Sequence, residues 1–167
     1  AACTAAPPLQ SPPSTTVYYA GSPQAGVLRA LELAGFELVT SADQAQGIVL
    51  NGVLPDPQAI AGLREAGAGL VLILGEQTGA EAIGTILGYP VELTPKDDPI
   101  SLTEIEVNDP LTNEILWNSA PQVRARAGVM TIVSAIQPLV VAYESSDWVL
   151  WQARPAVFVV NSFLEDD

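Results

Sequence analysis

The chain has 167 residues, of which 49% are hydrophobic and 15% charged, a composition that suits one globular domain and argues against general disorder. Its net charge of −13 comes from 19 acidic and 6 basic residues. Such a surface repels phosphate backbones and anionic membranes, which excludes nucleic-acid binding as an expected function. The sequence has no histidine, one cysteine and no apolar run long enough to cross a bilayer, so we expect no intrachain disulfide, no Cys-rich metal site and no transmembrane helix.

Residues 1–15 are predicted to form an extended linker, because their prolines and small polar side chains cannot build a core. Cys3 follows two alanines and precedes this linker, a pattern that resembles the processing site of a bacterial lipoprotein. The resemblance implies that the Cys3 thiol is lipidated and that the domain is extracytoplasmic, associated with a membrane only through that anchor or through a partner. The alternative is an incidental thiol in a linker.

Between residues 16 and 87, apolar periodicity and turn residues predict the order β-α-β-β-α-β-α. The strands are expected at Thr16–Ala20, Phe36–Val39, Gly47–Leu50 and Gly69–Leu74, and the helices are expected to begin at Ser22-Pro23, Asp56-Pro57 and Thr78. The strand at Gly69–Leu74 is continuously apolar, as in a parallel sheet buried on both faces. The alternation predicts an α/β fold with three layers, doubly wound around a mostly parallel sheet.

The second half of the chain has a different pattern. Residues 89–99 contain three prolines and are predicted to form a loop. Strands are then expected at Leu102–Val107, Gln122–Ala127, Met130–Val133, Leu139–Tyr143, Trp148–Gln152 and Ala156–Val160. Runs this close together predict extra antiparallel strands beside the parallel sheet. We therefore expect one α/β domain over residues 16–167, lacking a C-terminal segment because a doubly wound domain usually closes with a further helix.

The segment Gly75-Glu76-Gln77-Thr78-Gly79 joins the fourth strand to the third helix. It has the outline of the G-x-nucleophile-x-G elbow, which presents a reactive side chain at the end of a parallel strand. The central position holds Gln77, and an amide has no lone pair basic enough to attack a substrate. The segment therefore has the shape of an active site without its nucleophile.

The order of elements, this elbow and the segment Ile105–Thr112 before a run of strands resemble the class I glutamine amidotransferase-like superfamily, in particular its non-catalytic, ThuA-like branches. The resemblance implies a flavodoxin-like fold. In catalytic members the elbow residue is a nucleophilic Cys, and a late His and Glu complete the site. Here Gln77 stands at the Cys position and Leu164 at the nearest counterpart of the His. The resemblance thus implies the fold without the activity, and we expect no enzyme.

The elbow supplies the candidate binding residues, which are Glu76, Gln77, Thr78, Gly79 and Glu81. Thr78 is expected to cap or start the helix, since no base is available to make it a nucleophile. Glu76 and Glu81 are expected to be stabilised by the dipole at the N-terminus of the helix; the alternative is that they take part in acid–base or metal chemistry. No metal or cofactor is expected. A second acidic region at residues 97–109 lacks the spacing of an EF-hand, and the loop after the first strand lacks the phosphate-binding glycine and lysine motifs.

Two further groups of residues carry weaker signals. Trp148 and Trp151 lie three apart on a predicted strand, so we expect them on opposite sides of it, one in the core. Arg124, Arg126 and Arg154 are expected to pair with the abundant acids; the alternative is a small anion site or a partner contact.

Together these observations predict a non-catalytic, amidotransferase-like domain that acts as a binding or scaffolding subunit of an extracytoplasmic or membrane-associated assembly. Protein partners are expected. The alternatives are a carboxylate- or metal-dependent hydrolase and a sensor domain that binds a small molecule. Both would use the crevice near Gln77, because ligands of open α/β sheets bind beyond the carboxyl ends of the strands.

Overall fold

The computed structural model describes residues 14–94, 99, 101–104, 127–130, 138–142 and 148–164. The strands are β1 (Thr16–Ala20), β2 (Glu37–Val39), β3 (Gly47–Asn51), β4 (Gly69–Ile73), β5 (Val91–Thr94), β6 (Leu102–Glu104), β7 (Ala127–Met130), β8 (Pro138–Ala142), β9 (Trp148–Arg154) and β10 (Val157–Val160). The helices are α1 (Gly26–Leu33), α2 (Pro57–Glu65) and α3 (Ala80–Leu87), and Ala42–Gln44 forms a short 3-10 turn.

Eight of these strands form one sheet in the order β2-β1-β3-β4-β10-β9-β8-β6. The first five are parallel to one another, and β9, β8 and β6 continue the sheet with antiparallel pairs. Strands β5 and β7 form a separate antiparallel pair. The predicted α/β fold, a mostly parallel sheet with extra antiparallel strands, is confirmed.

The sheet is covered by helices on both faces, because its central strands alternate two sets of apolar side chains. On one face Val17, Val49 and Ile73 pack with Val27 and Leu31 of α1. On the other face, the buried cluster contains residues of α2 and α3 together with alternate residues of β3, β4 and β10, namely Ile60, Ile83, Ile86, Leu87, Ile48, Leu50, Leu70, Leu72, Val157 and Val159. The three-layer arrangement follows from this alternation.

Capping residues in the sequence predict the start of α2 correctly but not the start of α1. Helix α2 begins as predicted, with the Asp56 carboxylate accepting a hydrogen bond from the backbone N–H of Ala59 at 3.1 Å and proline at the first helical position. Helix α1 begins at Gly26, so the predicted start at Ser22-Pro23 was wrong. The Tyr19 hydroxyl donates to the carbonyl of Ser22 at 3.0 Å, and this contact holds residues 22–25 in a turn instead.

The second half agrees with the prediction in part. The predicted loop over residues 89–99 is wrong at Val91–Thr94, which forms β5 by pairing with the distant β7. Strand β7 joins the end of one predicted run to the start of the next, and the rest of both runs lies outside the described residues. Strands β6, β8, β9 and β10 lie where strands were expected. Residues 1–13, including Cys3, lie outside the described part, as do residues 105–126.

The two tryptophans of β9 do not occupy separate faces as predicted. Trp151 is buried and Trp148 half-buried, but their rings meet edge to face with centroids 5.9 Å apart, and both pack on the same cluster. Burial nevertheless alternates along β9, with Val149, Trp151 and Ala153 buried.

Tyr89 follows α3 and is buried in the same cluster. Burial raises the pKa of its hydroxyl, and the nearby Trp151 indole and the positive charge of Arg154 oppose that rise. The phenol oxygen and the indole nitrogen have no hydrogen-bond partner of standard geometry among the described residues. We therefore regard the influence of the indole on the pKa as electrostatic rather than as a formed hydrogen bond.

The raised pKa of Tyr89 predicts a loss of stability in alkaline solution. The unfolded chain releases this proton near pH ~10 and the folded chain only at higher pH, so the free energy of unfolding should fall as pH rises through that window. The measurement is the urea midpoint between about pH 8 and about pH 11. In Tyr89→Phe, which has no phenolic proton, the fall should be shallower; an equal fall in both proteins would contradict the assignment.

Candidate functional site

The carboxyl ends of the parallel strands lie along one edge of the sheet. The register pairs Asn51 of β3 with Ile73 of β4, and Val160 of β10 with the same Ile73. The turns that follow β1, β3, β4 and β10 therefore meet at this edge. The strand order reverses between β1 and β3, and ligands of such folds bind in the crevice at that point. The elbow after β4 lies beside it.

The elbow at residues 75–79 is held by the hydroxyl of Thr78. This oxygen accepts a hydrogen bond from the backbone N–H of Gly75 at 2.8 Å and donates to the carbonyl of Gly52 at 3.4 Å. The backbone N–H of Thr78 also donates to the carbonyl of Gly75 at 3.2 Å, which closes the turn. Thr78 is only 4% exposed. It therefore links the elbow to the turn after β3.

The predicted capping role of Thr78 was wrong, because α3 begins two residues later with Gly79 as its N-cap and no side-chain cap. Glu76, Gln77 and Gly79 are exposed around the buried Thr78, and Glu81 is exposed in the first turn of α3. The structure thus brings four of the five candidate residues to one short surface, with Thr78 buried beneath them. Gln77 is exposed to solvent at the centre of the segment, but its φ is not positive, so its backbone lacks the strain of a nucleophile elbow.

Asn51 is a buried polar residue that the sequence interpretation missed. It is 1% exposed at the end of β3, and its amide nitrogen donates to the hydroxyl of Tyr19 at 3.2 Å and to the carbonyl of Leu164 at 3.0 Å. Its amide oxygen is buried with no hydrogen-bond partner among the described residues. A polar residue that ends an apolar strand at this edge was the signal that could have identified it.

Gly21, at the β1–β3 switch point, packs closely against Tyr19 and Asn51. Gly21 follows β1, and a Cβ atom there would lie 2.6 Å from the Tyr19 hydroxyl oxygen and 2.8 Å from the backbone oxygen of Asn51. Contacts that short leave no room for even a methyl group. Position 21 therefore requires glycine.

Leu164, the counterpart of the late histidine in the resemblance, takes part in this packing. Its side chain packs against the cluster of Val17, Val49 and Ile73 beneath α1. Its carbonyl receives the hydrogen bond from Asn51. Position 164 therefore holds a half-buried apolar side chain in contact with the core.

Asn161, just after β10, is a second buried amide on this edge. Its backbone N–H donates to the carbonyl of Val149 at 2.7 Å, and its side-chain nitrogen donates to the carbonyl of Trp148 at 3.2 Å. Asn51 and Asn161 thus lie on the two strands that flank β4. Each amide ties the end of its strand to a neighbouring segment.

Two absences concern the described residues only. They contain no group of three His, Cys, Asp or Glu side chains that could hold a metal ion. They also contain no helix with the length and apolar character needed to span a membrane. Most of the second acidic region, residues 97–109, lies outside them.

Comparison with known proteins supports the fold. No protein-family model and no curated protein sequence matches the chain. The crystal structure of SMU.1228c superposes with a TM-score of 0.66 at 13% identity, covering 90% of this chain and 77% of that one. A glutamine amidotransferase from Thermotoga maritima gives 0.59 at 8% identity, covering 89% and 75%. A putative GMP synthase subunit from Thermoplasma acidophilum gives 0.61 at 10% identity, covering 91% and 85%.

Identities this low establish architecture and leave activity open. Two of the three similar structures are described as an amidotransferase or as a putative synthase subunit. The element order and the mostly parallel sheet agree with that architecture. The chain therefore has the fold of the glutamine amidotransferases.

Proposed function

We propose that this domain is a non-catalytic, amidotransferase-like binding module within an extracytoplasmic or membrane-associated assembly. The proposal rests on the residues that occupy the nucleophile position of the elbow and the counterpart of the catalytic histidine. The nucleophile position holds the exposed amide of Gln77, and the counterpart of the histidine is Leu164, half-buried in contact with the core. Acyl transfer from glutamine needs a nucleophile and a positioned base, and we assign neither to the edge at the carboxyl ends of the strands.

The close packing at the switch point supports binding at the surface rather than catalysis in a pocket. Tyr19, Asn51 and Leu164 are connected by hydrogen bonds where a substrate would enter. The elbow beside them is exposed and stiff, because its turn is fixed by the Thr78 hydroxyl. A stiff exposed turn loses little conformational entropy when a partner binds.

The charge of this surface indicates the kind of partner. Glu76 and Glu81 flank the exposed Gln77, and the chain as a whole carries a charge of −13. A protein partner with a basic contact surface would be attracted, and an acidic one repelled. If Cys3 is lipidated as its sequence context suggests, the assembly lies at a membrane on the extracytoplasmic side.

A sensor domain for a small molecule is the second candidate, and one observation favours it. The buried amide oxygen of Asn51 has no partner in the described structure, and a polar ligand with a donor group would satisfy it. Asn51 is only 1% exposed, however, so such a ligand would have to open the packing around it. We therefore rank this function below partner binding at the elbow.

The absence of amidotransferase chemistry is tested by glutamine hydrolysis. Ammonia release from glutamine should not exceed the rate in buffer, since an amide replaces the thiol and the chain has no histidine. Gln77→Ala should behave like the wild-type protein, as should Gln58→Ala, which changes an exposed glutamine on α2. Ammonia release that Gln77→Ala abolishes and Gln58→Ala retains would overturn the non-catalytic assignment.

Partner binding is tested on the complex isolated from the source cells with the full-length protein. Gln77→Lys places a positive charge on the elbow and should weaken the complex about tenfold or more by repelling a basic partner. Gln58→Lys makes the same charge change on α2 and should leave the complex intact. The measurement is co-elution of the two proteins in size-exclusion chromatography; a wild-type chain that elutes alone, or a Gln77→Lys complex as stable as the wild type, would contradict the proposal.

The stiffness of the elbow rests on one hydroxyl and is tested by stability. Thr78→Val keeps the size of the side chain and removes the hydrogen bonds to Gly75 and Gly52, so the free energy of unfolding should fall by about 1–3 kcal/mol. Thr85→Val removes a hydroxyl that donates to a helix carbonyl on the surface of α3, and should change it by about 0.5 kcal/mol or less. Urea unfolding measures both; equal losses would show that the Thr78 hydroxyl does not hold the elbow.

A further inference from the structure

A groove lies at the opposite edge of the sheet from the elbow, where β9 turns into β10 and where α2 and α3 end. It has a volume of about 440 Å³ and is lined by Arg64, Glu65, Gly88, Arg154, Pro155 and Val157. We call it the arginine groove. Two of the six basic residues of the chain face each other here, in a protein with a net charge of −13.

Both arginines bind the same backbone oxygen. The Arg64 Nη1 atom and the Arg154 Nε atom each lie 2.7 Å from the carbonyl oxygen of Leu87, the last residue of α3. Positive charge at a helix C-terminus is favourable, so part of this arrangement serves α3. One carbonyl cannot engage all five N–H groups of each guanidinium, however, and donors remain on both.

The charges of the two arginines are balanced unequally. Arg64, with a side chain 10% exposed, pairs with the Glu65 carboxylate at 2.8 Å. Arg154 is exposed and has no carboxylate within ion-pair distance among the described residues. Its guanidinium lies 5.9 Å from the ring centroid of Tyr89 and contacts that ring by cation–π attraction. Within the described structure the groove therefore keeps an uncompensated positive charge.

Gly88 packs tightly against both guanidinium groups. A Cβ atom at this position would lie 3.1 Å from Arg154 Nη2 and 3.2 Å from Arg64 Nη1. Two nitrogens from different arginines thus lie close together beside Gly88, where the φ of +78° also favours glycine. Guanidinium groups placed in this way match the oxygens of a carboxylate or phosphate, to which arginine makes strong charge-assisted hydrogen bonds.

We propose that the arginine groove is a binding site for a small oxyanion, a carboxylate or phosphate group, held by Arg154 and Arg64. This site is independent of the elbow and of the function proposed for it. The carboxylate of Glu65 lines the same groove and competes for Arg64, so it lowers the affinity of the site for any other anion. The oxyanion is either a free ion or the acidic side chain of a protein that docks on this edge.

The test is a titration of the purified protein with inorganic phosphate at constant ionic strength, followed through the backbone amide NMR signal of Gly88. The wild-type protein should show a saturable shift. Arg154→Gln should weaken the apparent affinity about tenfold or more, and Glu65→Gln should strengthen it several-fold by removing the competing carboxylate. Glu32→Gln is the control, because it makes the same charge change and breaks the ion pair of Glu32 with Arg29 on α1. Its affinity for phosphate should match that of the wild type.

Arg154→Gln also removes a donor to Leu87, so its folding is checked by urea unfolding. If Arg154→Gln does not fold, Glu65→Gln still tests the proposal, because the Glu65 side chain is 72% exposed and its replacement should leave the fold intact. A second titration with a short oligoglutamate peptide separates the sources: tighter binding of the peptide than of phosphate assigns the site to an acidic protein segment, and the reverse order to a free anion. Shifts that stay linear with both probes, or an affinity unchanged in Arg154→Gln and Glu65→Gln, would overturn the proposal.

Discussion

The structure depends on the placement of β4 between β3 and β10, with which it forms parallel ladders on both sides. The backbone bonds continue past the end of β4, since Gly52 N–H donates to the carbonyl of Ile73 and Leu74 N–H donates to the carbonyl of Val160, both at 2.9 Å. These bonds fix where the elbow begins. They also bring the buried amides of Asn51 and Asn161 to either side of it.

The ladders that position the elbow do not depend on its chemistry. The turn is held by backbone bonds and by the Thr78 hydroxyl, whereas Gln77 is exposed beyond them. A change at position 77 therefore has little effect on the stability of the turn. This separation explains how the outline of an active-site elbow can persist in a chain that has a glutamine at its centre, and it permits a role in partner binding.

Locally encoded elements could be predicted from the sequence, and contacts between distant segments could not. The start of α2 is fixed by Asp56, whose carboxylate accepts a hydrogen bond from a residue only three positions later, and by the proline that follows it. An unbroken run of apolar residues identifies β4. Strand β5 was missed because its partner, β7, lies far along the chain and the nearby prolines suggested a loop. The bond from Asn51 to Leu164 spans 113 residues, so only the position of a polar residue at the end of β3 hinted at it.

Helix α3 connects the two candidate surfaces electrostatically. Its N-terminal end, with partial positive charge, lies at the elbow beside Glu76 and Glu81, and its C-terminal end, with partial negative charge, receives Arg64 and Arg154. The side chains at each end complement the helix dipole and give the two edges of the sheet opposite charge. The dipole by itself favours an anion at the elbow and a cation in the arginine groove, so the signs of the two proposed ligands follow from the exposed side chains, Glu76 and Glu81 at one edge and Arg154 at the other.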